Sequence, residues 1–226
     1  MKKRIIAGMM VICLLLLVGC GQSGNGTDDT AQKEKTGSAA ASSETADAKN
    51  GSSDVLVVYF SRTGEQYNVG KIEKGNTAIV AELIAEQTGA DSFEILPKKD
   101  YPYTYQELTD VAKKELNDQA RPAYAGEVPD LTNYRTIFIG APVWWGDWPM
   151  ICYTFFEKNA DALAGKTLVP FSTHEGSGLS GFDKKLSRAC PDSTIAKGLA
   201  VRGTDAQKKQ EKVRKNVNEW LSELGY

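Results

Sequence analysis

The sequence predicts an α/β domain built on a parallel sheet, and three observations support this. Five short apolar runs rich in β-branched residues lie within residues 54–226. They are continuous rather than alternating, as is typical of strands buried on both faces. A helical pattern follows each run, and strands that alternate with helices form parallel sheets covered on both sides. We therefore predict one domain over residues 54–226.

The elements follow one another in strict alternation. The predicted strands are DVLVVYF (54–60), DSFEIL (91–96), RTIFIGAPVWW (135–145, running into a loop), KTLVPFST (166–173) and STIAKGLAVRG (193–203). The predicted helices are 77–89, 104–117, 149–160, 178–190 and 204–225. Gly89 is a stop signal, Pro149 suits a first helical position, and the pairs Thr104–Glu107 and Thr204–Gln207 have the spacing of capping boxes.

The first 53 residues predict export and a tether. A basic start precedes an apolar run from Ile5 to Val18, which is short for a membrane span. The run ends in Leu17-Val18-Gly19-Cys20, which resembles a bacterial lipobox, so we predict a signal peptide over 1–20, a lipid on Cys20 and a location on the extracytoplasmic face of the membrane. The alternatives are an uncleaved anchor or an ordinary secretion signal. Residues 21–53 are polar and small, and predict a disordered tether.

Charge and cysteine content exclude several classes of site. In residues 54–226 acidic residues outnumber basic ones by three, which excludes a strongly basic nucleic-acid surface. Beyond Cys13 and Cys20 only Cys152 and Cys190 remain, too few for a metal site. These two could form an extracellular disulfide or stay as core thiols.

Three loops are candidates for a ligand site. Ligands of such sheets lie beyond the carboxyl ends of the strands, where the winding reverses. These ends are followed by residues 61–77, 141–149 and 172–178. The first loop supplies hydroxyls and an amide next to a helix start, which can bind phosphate without a lysine. The alternative is that Asn76 or Thr77 only caps the helix.

The other two loops differ in chemistry. GAPVWWGDWP carries three tryptophans, which suggest a platform for a planar ligand, or else a cover for the core edge. STHEGSG has small residues that let the backbone approach a ligand. His174 is the single histidine of the chain, and a lone loop histidine is more often a bystander than a catalyst.

Together these loops resemble those of the flavodoxin family. The segments that carry the resemblance are VVYFSRTG…GNTAIVAELIA, IGAPVWWGDWP and VPFSTHEGSG, and it spans essentially all of 54–226. The branch it resembles most has a split phosphate loop, because EQYNVGKIEKG separates Thr63-Gly64 from Asn76-Thr77. The resemblance implies a three-layer sandwich with a five-stranded parallel sheet of order 2-1-3-4-5, FMN as cofactor, and an insertion that loops out.

The resemblance also implies positions for the parts of FMN. The phosphate is expected at Ser61, Arg62 (through its backbone), Thr63, Asn76 and Thr77. The flavin ring is expected against Trp144, and a site without nearby lysines should disfavour negative charge on the reduced ring. The ring edge and its other side are expected at Pro142, Val143, Trp145, Gly146, Thr173, His174, Gly176, Ser177 and Gly178.

Three functions are compatible with these features. The favoured one is an FMN-binding electron carrier, exchanging electrons with a partner protein or a small molecule and anchored to the membrane through Cys20. The second is an FMN-dependent reductase that uses NAD(P)H or a quinone. The third is a flavin-free binding lipoprotein, which the intact set of hydroxyls disfavours.

Overall fold

The structure, a computed structural model, describes residues 54–226. The predicted signal peptide over 1–20, the lipidated Cys20 and the tether over 21–53 lie outside the described residues. Among residues 54–226 no helix is both long enough and apolar enough to cross a membrane.

The domain contains ten strands and seven α-helices in the part of the chain that the structure describes. The strands are β1 Val55–Tyr59, β2 Gly64–Gln66, β3 Gly70–Ile72, β4 Asp91–Glu94, β5 Leu96–Pro97, β6 Tyr124–Ala125, β7 Thr136–Pro142, β8 Thr167–His174, β9 Thr194–Ile195 and β10 Leu199–Arg202. The helices are α1 Asn76–Thr88, α2 Tyr105–Asn117, α3 Met150–Lys158, α4 Ala160–Leu163, α5 Phe182–Ala189, α6 Gly203–Lys208 and α7 Gln210–Glu223, with a 3-10 turn at Leu131–Asn133.

The main sheet confirms the predicted topology. Its order is β4-β1-β7-β8-β10 and every pair is parallel, which is 2-1-3-4-5 in terms of the five predicted strands. The winding reverses between β1 and β7, so the carboxyl ends of β1, β7 and β8 lie side by side.

Alternate residues of the strands build two cores, one on each face of the sheet. On one face, residues such as Leu56 and Ile137 pack with α3 and α5. On the other, residues such as Val57 and Phe138 pack with α1 and α7. The helices therefore form an outer layer on each side, and the predicted three-layer sandwich is confirmed.

The fifth predicted strand is interrupted opposite Pro170. Leu168 is in register with Ile195, but Phe171 is in register with Leu199, so the fifth strand contains one extra residue. The carbonyl oxygen of Leu168 accepts a hydrogen bond from Ala196 N–H of the fifth strand. Pro170, two residues further along β8, faces the same strand but has no backbone N–H to donate. A bulge therefore separates β9 from β10 where the ladder has no donor.

The prediction of one closing helix over 204–225 is wrong. The helix breaks at Lys209, between α6 and α7. Thr204 does not begin a capping box with Gln207, because its N–H and hydroxyl both bond Glu175 Oε1, the hydroxyl at 2.8 Å. The Gln207 amide reaches across to Asn76 Oδ1 at 2.9 Å. These long-range bonds set the direction of α6, while α7 packs on the sheet.

Both cysteines of the domain are free thiols in the structure. Cys152 lies on α3 and Cys190 at the end of α5, and both are buried in the same core. Burial raises the pKa of both thiols, to about 11 for Cys190. Of the two alternatives, the structure shows the unpaired core thiols.

Candidate functional site

The three loops converge on one cavity of about 610 Å³ at the carboxyl edge of the sheet. This volume lies within the usual range for ligand and cofactor sites. Most of the predicted site residues line it, namely Asn76, Pro142, Val143, Trp144, Trp145, Gly146, Thr173, His174, Gly176 and Ser177. The remaining predicted residues, Ser61, Arg62, Thr63, Thr77 and Gly178, are not part of its lining.

The insertion in the first loop forms a β-hairpin. Strands β2 and β3 pair antiparallel, and Gly64 lies in register with Ile72. The hairpin therefore closes on itself and returns Gly75 to the position where the chain left β1. The Ser61 hydroxyl accepts a hydrogen bond from Ala78 N–H at 3.0 Å, and so caps a helix that begins fifteen residues later. The two halves of the split loop are thus in contact.

The start of α1 is tied to the rest of the site by side-chain hydrogen bonds. The hydroxyls of Thr77 and Thr173 lie 2.7 Å apart and are buried. Asn76 Oδ1 accepts from the Gln207 amide rather than capping its own helix. The capping alternative for these two side chains is therefore not what the structure shows. The first turn of α1 contains no acidic residue.

We expect the two buried hydroxyls to be energetically coupled. In flavin-free protein, Thr77→Val or Thr173→Val alone should lower the free energy of unfolding by about 1–3 kcal/mol, because each leaves a buried hydroxyl without its partner. The double variant should cost less than the sum of the two, since both polar groups are then removed. Urea unfolding followed by tryptophan fluorescence measures this, and strictly additive losses would contradict the coupling.

Arg62 directs its side chain away from the start of α1. The guanidinium donates to the carbonyl oxygens of Pro102 and Tyr103, and at 2.7 Å to that of Glu65. Burial lowers the pKa of Arg62. The side chain therefore joins the hairpin to the segment before α2, and only the Arg62 backbone is left for a phosphate.

The second loop ends in a tight turn over residues 144–147. The backbone N–H of Trp144 donates to Asp147 O, and that of Asp147 donates back to Trp144 O, both at 3.0 Å. The two central residues have positive φ, 52° at Trp145 and 73° at Gly146, as in a type I′ turn. Glycine adopts this conformation at no steric cost, whereas a tryptophan there is strained, and such strain clusters at functional sites.

The three tryptophans have different surroundings. Trp148 is buried and stacks on Phe182 with ring centroids 3.7 Å apart, so it is the one that covers the core. Trp144 is half-buried, with its ring edge-on to Phe60 and Tyr101. Trp145 is 52% exposed and donates its indole N–H to Thr109 O at 2.9 Å. Trp144 and Trp145 both line the cavity.

The expectation of a site without nearby lysines is wrong. Lys185 of α5 donates to the carbonyl oxygens of Gly146 and Ser180 and lies 3.5 Å from the carboxylate of Asp147. Lys113 of α2 lies over the Trp145 ring, 4.6 Å from its centre. Neither lysine belongs to the three loops, and the packing of α5 and α2 brings them to the tryptophan turn.

The third loop holds its two titratable side chains by local bonds. His174 Nδ1 accepts from Gly176 N–H at 2.9 Å, which requires that this nitrogen is unprotonated. Burial lowers the pKa of His174, so the imidazole is neutral at pH 7. The Glu175 carboxylate bonds Thr204 at the start of α6, with Arg202 3.9 Å away. The partners of Glu175 therefore lie at the end of β10 and the start of α6.

The glycines of the third loop also match the dinucleotide pattern G-x-G-x-x-G at positions 176–181. The pattern stands between β8 and α5. In dinucleotide-binding folds it follows the first strand, and the pyrophosphate lies on the helix start. Here the first turn of α5 carries Asp183, whose negative charge opposes phosphate at that position.

One wall of the cavity combines the insertion of the first loop with a region outside the three loops. It is formed by the hairpin and the first turns of α2, through Gln66, Tyr67, Tyr105, Gln106, Leu108, Thr109, Asp110 and Ala112. The rule that ligands lie where the winding of the sheet reverses selected only the loops after the first, third and fourth predicted strands. It therefore gave no indication of the segment after the second strand. The run of alternate tyrosines in DYPYTY (100–105) is the signal that could have indicated it.

Comparisons with known proteins agree with this geometry. Residues 54–222 match the family model described as flavodoxin. A proposed flavoprotein from Bacteroides eggerthii is 29% identical, with 76% of this chain and 98% of that one covered and a TM-score of 0.61. A second from Bacteroides uniformis is 31% identical, with 74% and 97% covered and a TM-score of 0.58.

A more distant structure shows the same fold. It is a flavoprotein from Lactobacillus acidophilus in complex with FMN, 19% identical, with 70% of this chain and 97% of that one covered and a TM-score of 0.53. No curated protein matches the chain at a significant level. Because the family model spans most of the chain and the whole of the sheet, this protein is a member of the flavodoxin family.

Proposed function

We propose that this protein binds FMN and transfers electrons, anchored to the outer face of the cytoplasmic membrane by a lipid on Cys20. The observation that carries the proposal is the closure of the split loop. Ser61 caps α1 across the insertion, and the helix start so formed borders the cavity that the tryptophan turn also lines. Support for FMN comes from family membership and from the flavoprotein of this fold that was solved with FMN.

The residues of the cavity fit an FMN molecule. The Ala78 N–H at the start of α1 is bonded to Ser61. The backbone N–H groups before it have no partners within the helix and suit a phosphate, with no acidic side chain in the first turn to repel it. The Thr77–Thr173 pair and Asn76 hold this helix start in place from two sides. Trp144 and Trp145 offer aromatic surface to a planar ring, and the glycines of the third loop let backbone approach its polar edge.

Bound FMN supplies one- and two-electron chemistry, and the protein sets how readily that occurs. The strained turn fixes the indole of Trp145 and the carbonyl of Gly146 at the cavity. The Lys185 ammonium donates a hydrogen bond to that carbonyl and so brings a positive charge next to it. The neutral His174 imidazole adds no charge to the opposite loop. Together these groups shift the reduction potential of bound FMN.

Purification of the full-length protein in detergent tests the flavin proposal. The preparation should be yellow, or should become so with added FMN, with about one FMN per chain. Calorimetry without heat on addition of FMN to a colourless protein would overturn the proposal and favour the flavin-free binding function. Mass spectrometry of the processed N-terminus, showing a diacylated or triacylated Cys20, tests the anchor.

Addition of NADH or NADPH to the yellow protein separates a carrier from a nicotinamide-dependent reductase. We expect slow or absent bleaching, with full bleaching by dithionite. Rapid bleaching by either nucleotide would instead make the protein a reductase that uses NAD(P)H directly.

A further inference from the structure

The hairpin over residues 64–72 is fastened to the segment before α2 by both backbone and side chains. The Arg62 guanidinium donates to the carbonyl oxygens of Pro102 and Tyr103. The backbone N–H of Glu65 donates to Tyr103 O at 3.1 Å, and the Glu65 carboxylate accepts from Tyr105 N–H at 3.2 Å. The insertion therefore adds a fixed wall to the cavity.

This wall presents a pair of exposed, stacked aromatic rings. Tyr67 at the hairpin tip and Tyr105 at the start of α2 stack with centroids 5.7 Å apart and planes inclined by 28°. Tyr67 is 55% exposed and Tyr105 is 38% exposed, and both line the cavity. A contiguous exposed apolar surface, unlike a single exposed ring, is typical of a ligand-binding groove or an interaction site.

The polar groups around the pair suit a neutral ligand with carbonyl oxygens. Gln66 and Gln106 each carry an amide with two N–H donors, of which one is bonded, to Thr63 O and to Asp110 Oδ1 respectively. The second donor of each amide remains for a ligand oxygen. Aromatic rings on one side and amide donors at the edge recognise a planar diketone.

The wall that carries the tyrosine pair disfavours phosphate-bearing ligands. The described residues of the hairpin and of α2 that line the cavity include no lysine or arginine, whereas Asp110 is acidic. Two backbone N–H groups at the start of α2 already have acceptors. Thr104 Oγ1 accepts from Glu107 N–H, and the Glu65 carboxylate accepts from Tyr105 N–H. Two carboxylates, those of Glu65 and Glu107, stand at this helix terminus, so no anion-binding end is left for a pyrophosphate.

We propose that the Tyr67–Tyr105 pair binds a small neutral quinone, which is the electron-transfer partner of the flavin. This inference rests on the proposed function, because both ligands share one cavity. Tyr67 and Tyr105 would hold the quinone by stacking, and bound reduced FMN would supply the two electrons and two protons that convert it to the dihydroquinone. The insertion that splits the phosphate loop thus supplies one part of the quinone site, and the start of α2 supplies the other.

The test uses full-length protein loaded with FMN and 2-methyl-1,4-naphthoquinone as the probe, titrated by calorimetry. We expect saturable binding with one site per chain, about tenfold weaker in Tyr67→Ala and close to wild type in Tyr67→Phe, which keeps the ring. Tyr103→Ala is the matched control, because Tyr103 is 50% exposed on the same segment but does not line the cavity. Its affinity should be unchanged.

The absorbance of the bound flavin in each variant separates this proposal from the previous one. A colourless wild type that FMN cannot reconstitute overturns the proposed function. Yellow protein that gives no heat with the naphthoquinone, or Tyr67→Ala that binds it like wild type, overturns the quinone site alone. Loss of FMN in Tyr67→Ala also overturns it, since the stacked tyrosines would then belong to the flavin.

Discussion

Gly75→Ala is expected to weaken FMN binding by more than tenfold and to lower the free energy of unfolding by about 2–3 kcal/mol. A β-carbon at this position would overlap Ser61 Oγ and lie 2.8 Å from the carbonyl oxygen and 3.0 Å from the nitrogen of Arg62. The serine could rotate away, but Ala78 N–H would then lose its acceptor. The backbone of Arg62 cannot rotate away, so the two halves of the split loop must separate.

Gly70→Ala is the control for this effect. Gly70 belongs to the same insertion and has φ +88°, with nothing within 4 Å of a β-carbon. We expect Gly70→Ala to lower the free energy of unfolding by only about 1–2 kcal/mol, which is the cost of a non-glycine residue in the left-handed conformation. Its FMN affinity should equal that of the wild type. Quenching of FMN fluorescence on titration measures affinity, and urea unfolding of the flavin-free proteins measures stability. Wild-type FMN affinity in Gly75→Ala would show that closure of the split loop does not hold the cofactor.

Gly140→Ala should lower the free energy of unfolding by about 3 kcal/mol or more, which is at the upper end for overpacking a core. Gly140 lies in β7 directly opposite Phe171 of β8, and the Phe171 ring covers it. A β-carbon there would overlap Cε2 and Cζ of that ring and lie 2.5 Å from Cδ2. Phe171 is fully buried beneath α1 and α7, so its ring has no space to move into.

A second substitution tests whether this clash is the cause. Phe171→Leu alone should cost about 1–2 kcal/mol through lost packing. In Gly140→Ala it should instead recover part of the lost stability, because the smaller side chain leaves room for the new methyl group. Urea unfolding of the four flavin-free proteins gives the interaction energy. If the two losses simply add, the origin of the effect lies elsewhere than in the Phe171 ring.

The strands of the sheet could be predicted because burial on both faces leaves a clear trace in the chain. Runs such as VLVVY at β1 and TIFIGAP at β7 are almost wholly apolar, as expected of strands buried on both faces. The helix stop at Gly89 was equally legible, since Gly89 has φ 64° and ends α1. The break in the fifth strand opposite Pro170 was not predicted. A proline removes a hydrogen bond to the neighbouring strand, so its effect appears there and not in its own strand β8.

The hairpin could not be predicted from its own residues. Strands β2 and β3 have three residues each and show no alternation of apolar and polar side chains. They are held by Arg62 and Glu65, whose partners at positions 102–105 lie about forty residues further along the chain. A local pattern carries no information about such partners. The aromatic wall with Tyr67 was missed for the same reason.

The residues by themselves predicted the parallel sheet and the three loops that meet at its carboxyl edge, because burial and turn chemistry are local properties. The order of the strands and the split phosphate loop followed from the resemblance to flavodoxins. The tertiary structure alone decided which side chains meet at that edge. Asn76 bonds Gln207, Glu175 bonds Thr204, and Lys185 reaches Gly146. These pairs join residues that are distant in the chain, so their geometry depends on how the helices pack against the sheet. The local sequence around each residue therefore does not predict its partner.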